Sequence, residues 1–94
     1  MTRKAAAASP VGADGWWVYV VECRDGSLYT GIARDVAQRL AAHQDGTASK
    51  YTRARTPVSV VYREHTPSRS AALKREAEIK RLSRSRKLAL VRQG

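Results

Sequence analysis

The hydrophobic pattern of the chain is densest in residues 16–31. An apolar run rich in β-branched and aromatic residues comes first, the turn signal Asp25-Gly26 follows it, and a second, shorter run completes the stretch. This pattern predicts a β-hairpin. Tyr19 lies in its first strand and Tyr29 in its second.

The length of the turn determines which side chains share a face of this hairpin. A two-residue turn pairs Tyr19 with Ile32 and places the two tyrosines on opposite faces, because side chains alternate along a strand. A three-residue turn with Gly26 left-handed pairs Tyr19 with Gly31, and the two tyrosines then share a face. We predict the second register, in which Gly31 leaves space beside Tyr19 for a phosphate.

Apolar positions at helical spacing follow the hairpin. Asp35 suits the N-cap, and the helix is predicted to end near Asp45-Gly46. The apolar stripe consists of Val36, Ala37, Leu40 and Ala41. Arg39 and His43 are one turn apart beside this stripe. They either reach the sheet face that the helix covers or point into water.

Residues 47–56 are polar and basic and contain one aromatic side chain. Lysine and arginine neutralise phosphates, and an aromatic ring can stack on a base. The segment therefore suits a loop or short helix that follows a nucleic-acid backbone, with Lys50, Tyr51 and Arg53 as the contacting residues.

A third strand is predicted over residues 58–63. Alternation places Val58, Val60 and Tyr62 on one of its faces. The turn that follows is His65-Thr66-Pro67. A short basic helix whose leucines dock on the domain is predicted over residues 83–91.

A further helix is predicted to run from a cap at Ser68 or Ser70 to about Leu82. At 100° per residue, Glu76 projects from the middle of its apolar arc, whereas Glu78 lies opposite as a solvated charge. An inward carboxylate has to be paired, protonated or bound to a cation. Glu76 is therefore either ion-paired with Lys80, one turn on, or a ligand for a metal such as Mg²⁺, which proteins hold with one or two carboxylates.

Length and charge suggest one domain and a polyanionic partner. The chain of 94 residues allows a single domain, which we assign to residues 15–94, with residues 1–14 as a flexible basic tail. Eighteen Lys and Arg against eight Asp and Glu give a net charge of +10. Nucleic acid is the first partner that such a surplus suggests, and an anionic membrane surface the second.

A single cysteine, Cys23, excludes a disulfide framework and a cysteine zinc site. We expect it to be a small core residue in a cytoplasmic protein. No stretch approaches the length of a membrane span, and no strong basic amphipathic helix is predicted beyond the C-terminal segment, so no membrane association is expected.

Once cysteine chemistry is excluded, the tyrosine, arginine, histidine and glutamate side chains fit metal-assisted phosphodiester hydrolysis. Glu76 would hold a divalent ion, and Arg39 would clamp the phosphate with its planar fork. A tyrosine would take a proton from the attacking water, or His43 would relay it. Tyrosine is a weak base, because holding the phenolate at neutral pH costs roughly 4 kcal/mol.

The sequence resembles the GIY-YIG nuclease family, in particular its small single-domain bacterial members. The residues that carry the resemblance are Val18-Tyr19, Tyr29-Thr30-Gly31, Arg39 and Glu76. The resemblance covers roughly residues 16–82. Trp17 and Thr30 replace a glycine and an isoleucine of the family signature, and neither position supplies a reacting group.

The resemblance implies an α/β (α+β) fold, with a small, mainly antiparallel three-stranded sheet flanked by helices. It also implies hydrolysis of one DNA strand with a single Mg²⁺ or Mn²⁺. By matching position, the site tyrosines would be Tyr19 and Tyr29, the phosphate clamp Arg39 and the metal ligand Glu76. His43 matches a histidine found in many members.

We therefore expect a structure- or strand-selective DNA endonuclease of the bacterial cytoplasm, linked to repair or recombination and directed to its target by a protein partner. DNA is expected in preference to RNA. The residues expected to contact nucleic acid are Gly31, Lys50, Tyr51, Arg53 and Lys80. The alternative is a non-catalytic nucleic-acid-binding module on the same scaffold.

Overall fold

The structure is a computed structural model that describes residues 15–93. These residues form β1 (Trp16–Glu22), β2 (Leu28–Ala33), α1 (Val36–Gln44), α2 (Lys50–Arg53), β3 (Ser59–Thr66), α3 (Arg69–Lys80) and α4 (Arg84–Gln93). The strand order is β2-β1-β3, and both pairings are antiparallel. The predicted fold is confirmed. The basic tail predicted for residues 1–14 lies outside the described residues.

The hairpin of β1 and β2 has the predicted register. Tyr19 pairs with Gly31 across the two strands. The Cys23 N–H donates to the Ser27 carbonyl at 2.8 Å, which leaves a three-residue turn between them, and Gly26 is left-handed at φ 85°. Both site tyrosines therefore lie on one face of the sheet.

Apolar side chains pack on both faces of the sheet. The first cluster consists of Tyr19, Val21, Cys23, Ala33, Val36 and Val58, with Trp17, Tyr29, Leu40 and Val60 at its edge. The second consists of Val18, Val20, Ala72 and Ile79, with Trp16, Leu28, Ile32, Val61, Tyr62, Leu90 and Val91 at its edge. Fully burying a large aliphatic side chain contributes about 1.5–3 kcal/mol, so these clusters stabilise the fold and fix the strands that carry the tyrosines.

Both ends of α1 are fixed by local hydrogen bonds. The Asp35 side chain accepts from the Gln38 N–H at 3.1 Å, which confirms the predicted N-cap. At the other end Gly46 is left-handed at φ 81°, and the Thr47 N–H donates back to the Ala42 carbonyl at 2.9 Å. These bonds satisfy groups that a helix end otherwise leaves unpaired.

The buried side of α1 differs from the predicted stripe. Ala37 and Ala41 are exposed, whereas His43 is buried together with Val36. The helix is rotated so that Val36, Leu40 and His43, at i, i+4 and i+7, face the sheet. A polar side chain thus occupies a place that the apolar pattern assigned to alanine.

A bulge in β3 overturns part of the predicted strand pattern. Val21 pairs with Val60, but the adjacent Val20 pairs with Tyr62, so Val61 is an extra residue. The prediction that Val60 and Tyr62 share a face is therefore wrong. Val60 packs in the first cluster and Tyr62 in the second.

The third strand is also longer than predicted. It continues through the residues predicted as a turn, because Thr66 still pairs with Trp16. The Thr66 hydroxyl donates to the Trp16 carbonyl at 2.8 Å and holds the strand end in place.

Two helices cover the second face of the sheet. The Ser68 side chain caps α3 by accepting from the Ala71 N–H at 3.1 Å, and the helix ends at Lys80, slightly before the predicted end. The predicted basic helix forms as α4, whose Leu90 and Val91 pack on the second cluster. Within the described part of the chain, no helix is long and apolar enough to cross a membrane.

Candidate active site

Three buried polar side chains form a hydrogen-bonded chain from β1 through α1 to α2. The Tyr19 hydroxyl lies 2.8 Å from Nε2 of His43, and Nδ1 of His43 lies 2.7 Å from Oγ1 of Thr52. The three residues are 3%, 1% and 0% exposed. We call Tyr19, His43 and Thr52 the tyrosine–histidine chain. Of the two alternatives that the sequence left open for His43, the structure shows the one in which the side chain reaches the sheet face.

Gly31 allows the Tyr19 ring to reach this position. A Cβ atom built on Gly31 would lie 2.5 Å from the Tyr19 hydroxyl oxygen and 2.7 Å from the ring carbon that carries it. Only glycine leaves room for so close an approach. The space beside Gly31 is therefore filled by Tyr19 itself, and the prediction that a phosphate would occupy it is wrong.

The two aromatic neighbours of His43 limit the orientations of its ring. Tyr19 and Tyr29 both meet it edge-on, with centroids 5.8 and 5.3 Å away. Such edge-to-face contacts favour a fixed orientation. The imidazole is thus positioned by two rings and two hydrogen bonds.

Burial sets the protonation of this chain. It raises the pKa of Tyr19, and the nearby Tyr29 raises it further, whereas the Arg39 charge lowers it. Burial also lowers the pKa of His43, and Arg39 adds to that effect. At neutral pH the phenol consequently keeps its proton and the imidazole is uncharged.

The second site tyrosine is supported from α2. The Tyr29 ring stacks on Tyr51 with centroids 6.0 Å apart, and the Arg55 guanidinium lies 4.0 Å from the Tyr51 centroid. Arg55 is itself held by the Asp25 carboxylate at 3.1 Å. The Tyr51 ring, which we expected to stack on a base, already contacts two protein groups although it is 39% exposed.

Arg39 lines a cleft of about 410 Å³ at the surface. The other lining residues are Trp16, Ala33, Arg34, Asp35, Gln38 and Ala42. The Arg39 side chain is exposed, and its charge acts on both Tyr19 and His43. The predicted clamp therefore lies beside the tyrosine–histidine chain and faces a space that a ligand can enter.

Glu76 projects inward as predicted, and it has a partner. Its side chain is 18% exposed, and one carboxylate oxygen lies 3.3 Å from the Lys80 ammonium, which is 52% exposed. The ion pair that the sequence offered as one alternative is thus present. The Glu76 charge is also the smallest of the effects that raise the pKa of Tyr19, so the carboxylate acts on that tyrosine electrostatically.

The donor groups around Glu76 restrict which metal could bind. In residues 15–93 no group of three His, Cys, Asp or Glu side chains is arranged to hold a metal ion. This does not fit a structural zinc centre with four protein ligands. A single carboxylate is compatible with Mg²⁺ or Mn²⁺, since Mg²⁺ keeps several waters and binds substrate phosphate.

Two further predicted nucleic-acid contacts lie on α2. The same helix carries a site residue that was not predicted from the sequence. Lys50 and Arg53 are exposed and stay predicted nucleic-acid contacts. Thr52, between Tyr51 and Arg53, was not singled out from the sequence. In the sequence it differs from the other residues of α2 only in that it is neither charged nor aromatic. Such a difference is too common to indicate a functional site.

Comparison with known proteins covers nearly the whole described chain. Residues 15–89 match the GIY-YIG catalytic domain. A UPF0213 protein of Staphylococcus saprophyticus is 49% identical over 81 residues, which is 86% of this chain and 99% of the relative. A UPF0213 protein of Staphylococcus aureus is 50% identical over 80 residues, 85% of this chain and 98% of the relative.

Two solved structures are similar in both sequence and fold. The solution NMR structure of a UPF0213 protein from Bacillus halodurans has a TM-score of 0.55 at 43% identity and covers 84% of each chain. The solution NMR structure of a protein from E. faecalis has a TM-score of 0.59 at 36% identity and covers 86% of each chain.

Proposed function

The chain belongs to the GIY-YIG family, and from this premise we propose that it is a divalent-metal-dependent endonuclease that hydrolyses DNA phosphodiester bonds. The observation that carries the proposal is the tyrosine–histidine chain within electrostatic range of Arg39 and Glu76. We infer that these residues act together as a proton acceptor, a phosphate-binding cation and a metal-binding carboxylate. Those are the groups that metal-assisted attack of water on a phosphodiester requires.

Tyr19 and His43 handle the proton of the attacking water in this mechanism. Because burial raises the pKa of Tyr19, a free phenolate is unfavourable. The hydroxyl already lies 2.8 Å from Nε2 of His43. As Tyr19 takes a proton from water, its own proton passes to Nε2, so the phenol oxygen does not carry a full negative charge. The lowered pKa of His43 keeps its imidazole uncharged at neutral pH, so one ring nitrogen can accept a proton.

Arg39 and Tyr29 bind the phosphate. The exposed Arg39 guanidinium has the planar fork that matches two non-bridging oxygens. The Tyr29 hydroxyl accepts or donates no hydrogen bond within residues 15–93, so it is available to a phosphate oxygen or to the attacking water. Its stacking on Tyr51 keeps it directed towards the site.

Glu76 would hold the metal, Mg²⁺ or Mn²⁺. The bound ion would stabilise the charge that develops on the leaving oxygen. Lys80 now pairs with Glu76 at 3.3 Å, and its exposed ammonium can turn to a DNA phosphate once the carboxylate is engaged. The same side chain thus serves as partner of Glu76 in the free protein and as a nucleic-acid contact in the complex.

The basic surface supports DNA as the substrate. The net charge of +10 favours a polyanion, and Lys50 and Arg53 extend the exposed cations along α2. We further propose structure- or strand-selective cleavage in DNA repair or recombination in the bacterial cytoplasm. A protein partner would supply targeting.

Nicking of branched and flapped DNA with Mg²⁺ or Mn²⁺ tests the proposal. The wild type should cut in the presence of the metal and stop on its removal, and Glu76→Ala and Arg39→Ala should be inactive. Glu78→Ala is the matched control on α3, because Glu78 faces solvent and pairs with Arg75 at 3.2 Å. Equal cleavage by all four proteins would contradict the assignment of Glu76 and Arg39.

A non-catalytic nucleic-acid-binding module is the second candidate. The Glu76–Lys80 ion pair favours it, because it neutralises the carboxylate without a metal. Binding that weakens steeply with salt, together with no cleavage under any metal condition, would identify this function.

A further inference from the structure

We propose that Thr52 is a positioning residue that fixes the tautomer of His43, so that Nε2 is always the nitrogen that accepts the Tyr19 proton. The catalytic meaning of this inference rests on the proposed function. Its structural part rests on the hydrogen bonds of the tyrosine–histidine chain.

A neutral imidazole has one N–H donor and one acceptor nitrogen, so the chain can be protonated in two ways. In the first, the Tyr19 hydroxyl donates to Nε2, and the Nδ1–H of His43 donates to Oγ1 of Thr52. In the second, the Thr52 hydroxyl donates to Nδ1, and the Nε2–H donates to the Tyr19 oxygen. Only the first leaves His43 able to receive a proton from Tyr19.

The surroundings of Tyr19 favour the first arrangement. In the second, the Tyr19 hydroxyl hydrogen needs another acceptor. Of the residues that the structure describes, only His43 makes a hydrogen bond with that hydroxyl, and Tyr19 is 3% exposed. An unpaired buried hydroxyl is unfavourable and rare in native proteins.

The surroundings of Thr52 favour the same arrangement. The Thr52 hydroxyl donates to the Ser49 carbonyl at 3.4 Å, a long and weak bond that still leaves Oγ1 free to accept from Nδ1. Thr52 is held in place because the Ser49 side chain accepts from the N–H groups of Tyr51 and Thr52. The direction of every hydrogen bond from Tyr19 to Ser49 is then consistent.

Removal of the Thr52 hydroxyl should therefore weaken the preference for the first arrangement. Valine has nearly the same shape but cannot accept from Nδ1–H, which would become a buried donor without an acceptor. Both tautomers would then leave a buried group unpaired, so the Nε2–H form should become populated beside the Nδ1–H form. In that fraction of the molecules His43 lacks the free nitrogen that the relay needs.

Nitrogen-15 NMR of the His43 ring reads the tautomer directly, without DNA or metal. At about pH 8, where an imidazole is neutral, the wild type and Thr52→Ser should carry the proton on Nδ1. Thr52→Val should carry it on Nδ1 in only part of the molecules and on Nε2 in the rest. A wild type protonated on Nε2, or a folded Thr52→Val that carries the proton on Nδ1 as completely as the wild type does, would overturn the inference. If Thr52→Val does not fold, the wild-type spectrum alone decides between the two arrangements.

Cleavage kinetics then test the catalytic meaning. Thr52→Val should cut flapped DNA about 2- to 10-fold more slowly in single turnover with unchanged DNA affinity, because only part of its molecules keep Nε2 free, and Thr52→Ser should restore the rate. A wild type that cuts DNA and a Thr52→Val variant that cuts equally fast would refute the positioning role. A wild type that never cuts, but whose tautomer follows residue 52, would refute the proposed function and leave the tautomer assignment standing.

Discussion

Two tyrosines of this protein are hydrogen-bonded to a titratable side chain, and their surroundings differ. The hydroxyl of Tyr19 on β1 is bonded to His43 in a site that is almost completely buried. Tyr62 on β3 donates to the Glu64 carboxylate at 2.5 Å, and Arg75 of α3 holds that carboxylate at 3.1 Å. We call Tyr62, Glu64 and Arg75 the tyrosine–glutamate bridge.

The difference lies in what the acceptor can do with a proton. Burial raises the pKa of both tyrosines, and for Tyr62 the hydrogen bond and charge of Glu64 add to it. Glu64 can take the Tyr62 proton only by weakening its ion pair with Arg75. His43 is uncharged at neutral pH, so it can accept a proton without breaking an ion pair. The tyrosine–histidine chain can move a proton, whereas the tyrosine–glutamate bridge connects β3 to α3.

The largest difference is expected for the two arginines. Arg39→Lys should slow DNA cleavage about 100-fold, because an ammonium cannot bind two phosphate oxygens in the planar geometry. Arg75→Lys should leave the rate nearly unchanged and lower the free energy of unfolding by less than about 1 kcal/mol, as for other partly exposed ion pairs. Single-turnover cleavage and urea denaturation of both variants measure this, and an equal loss of rate would remove the distinction.

Gly31→Ala should disrupt the tyrosine–histidine chain and leave the tyrosine–glutamate bridge intact. Its Cβ would lie 2.5 Å from the Tyr19 hydroxyl oxygen, so the ring must move, the bond to His43 is lost, and unfolding becomes easier by about 1–3 kcal/mol. Gly26→Ala is the control, because it adds strain at φ 85° but meets no atom within 4 Å. Both variants should be less stable, and only Gly31→Ala should lose cleavage. Full activity of Gly31→Ala would contradict the close packing.

Tyr62→Phe should affect stability alone. The loss of its hydrogen bond to Glu64 should lower the free energy of unfolding by about 1 kcal/mol, since the bridge is only partly buried. DNA cleavage should stay at the wild-type rate. A cleavage defect at constant stability would show that the bridge takes part in the reaction.

The smallest effect is a pH dependence that belongs to His43. Burial lowers the pKa of His43 in the folded protein below its unfolded value near 6.5, so the unfolded chain binds more protons between the two values. Stability should therefore be complete above about pH 7 and fall as the pH drops through that window. Urea denaturation of wild type and His43→Gln across this range measures it, and an identical slope in both proteins would exclude His43 as the cause.

The sequence was sufficient for the hairpin because the alternation of side chains leaves two registers, and the shared face of the tyrosines selects one. It was also sufficient for the caps Asp35 and Ser68, whose side-chain bonds are local. It failed at the bulge, because Val60, Val61 and Tyr62 are all apolar and either face could accept them. Only the pairing with β1 distinguishes the faces.

Only those features of the site that depend on local geometry could be predicted from the sequence. Helical geometry placed Glu76 inward, but an ion pair with Lys80 and a metal both satisfy an inward carboxylate, so the sequence could not choose between them. Thr52 was missed because its bond to His43 joins residues nine positions apart through the packing of α2 against α1. Gly31 was interpreted wrongly because the approach of the Tyr19 ring depends on the whole sheet.

Single-turnover cleavage of flapped DNA with Mg²⁺, measured for Tyr19→Phe beside Tyr62→Phe, tests the central claim most directly. The tyrosine–histidine chain predicts that Tyr19→Phe loses 100-fold or more of the rate, about the share of a general base, while it binds DNA as the wild type does. Tyr62→Phe should cut at the wild-type rate. Equal rates for the two variants would contradict the claim that Tyr19 and His43 move the proton in this reaction.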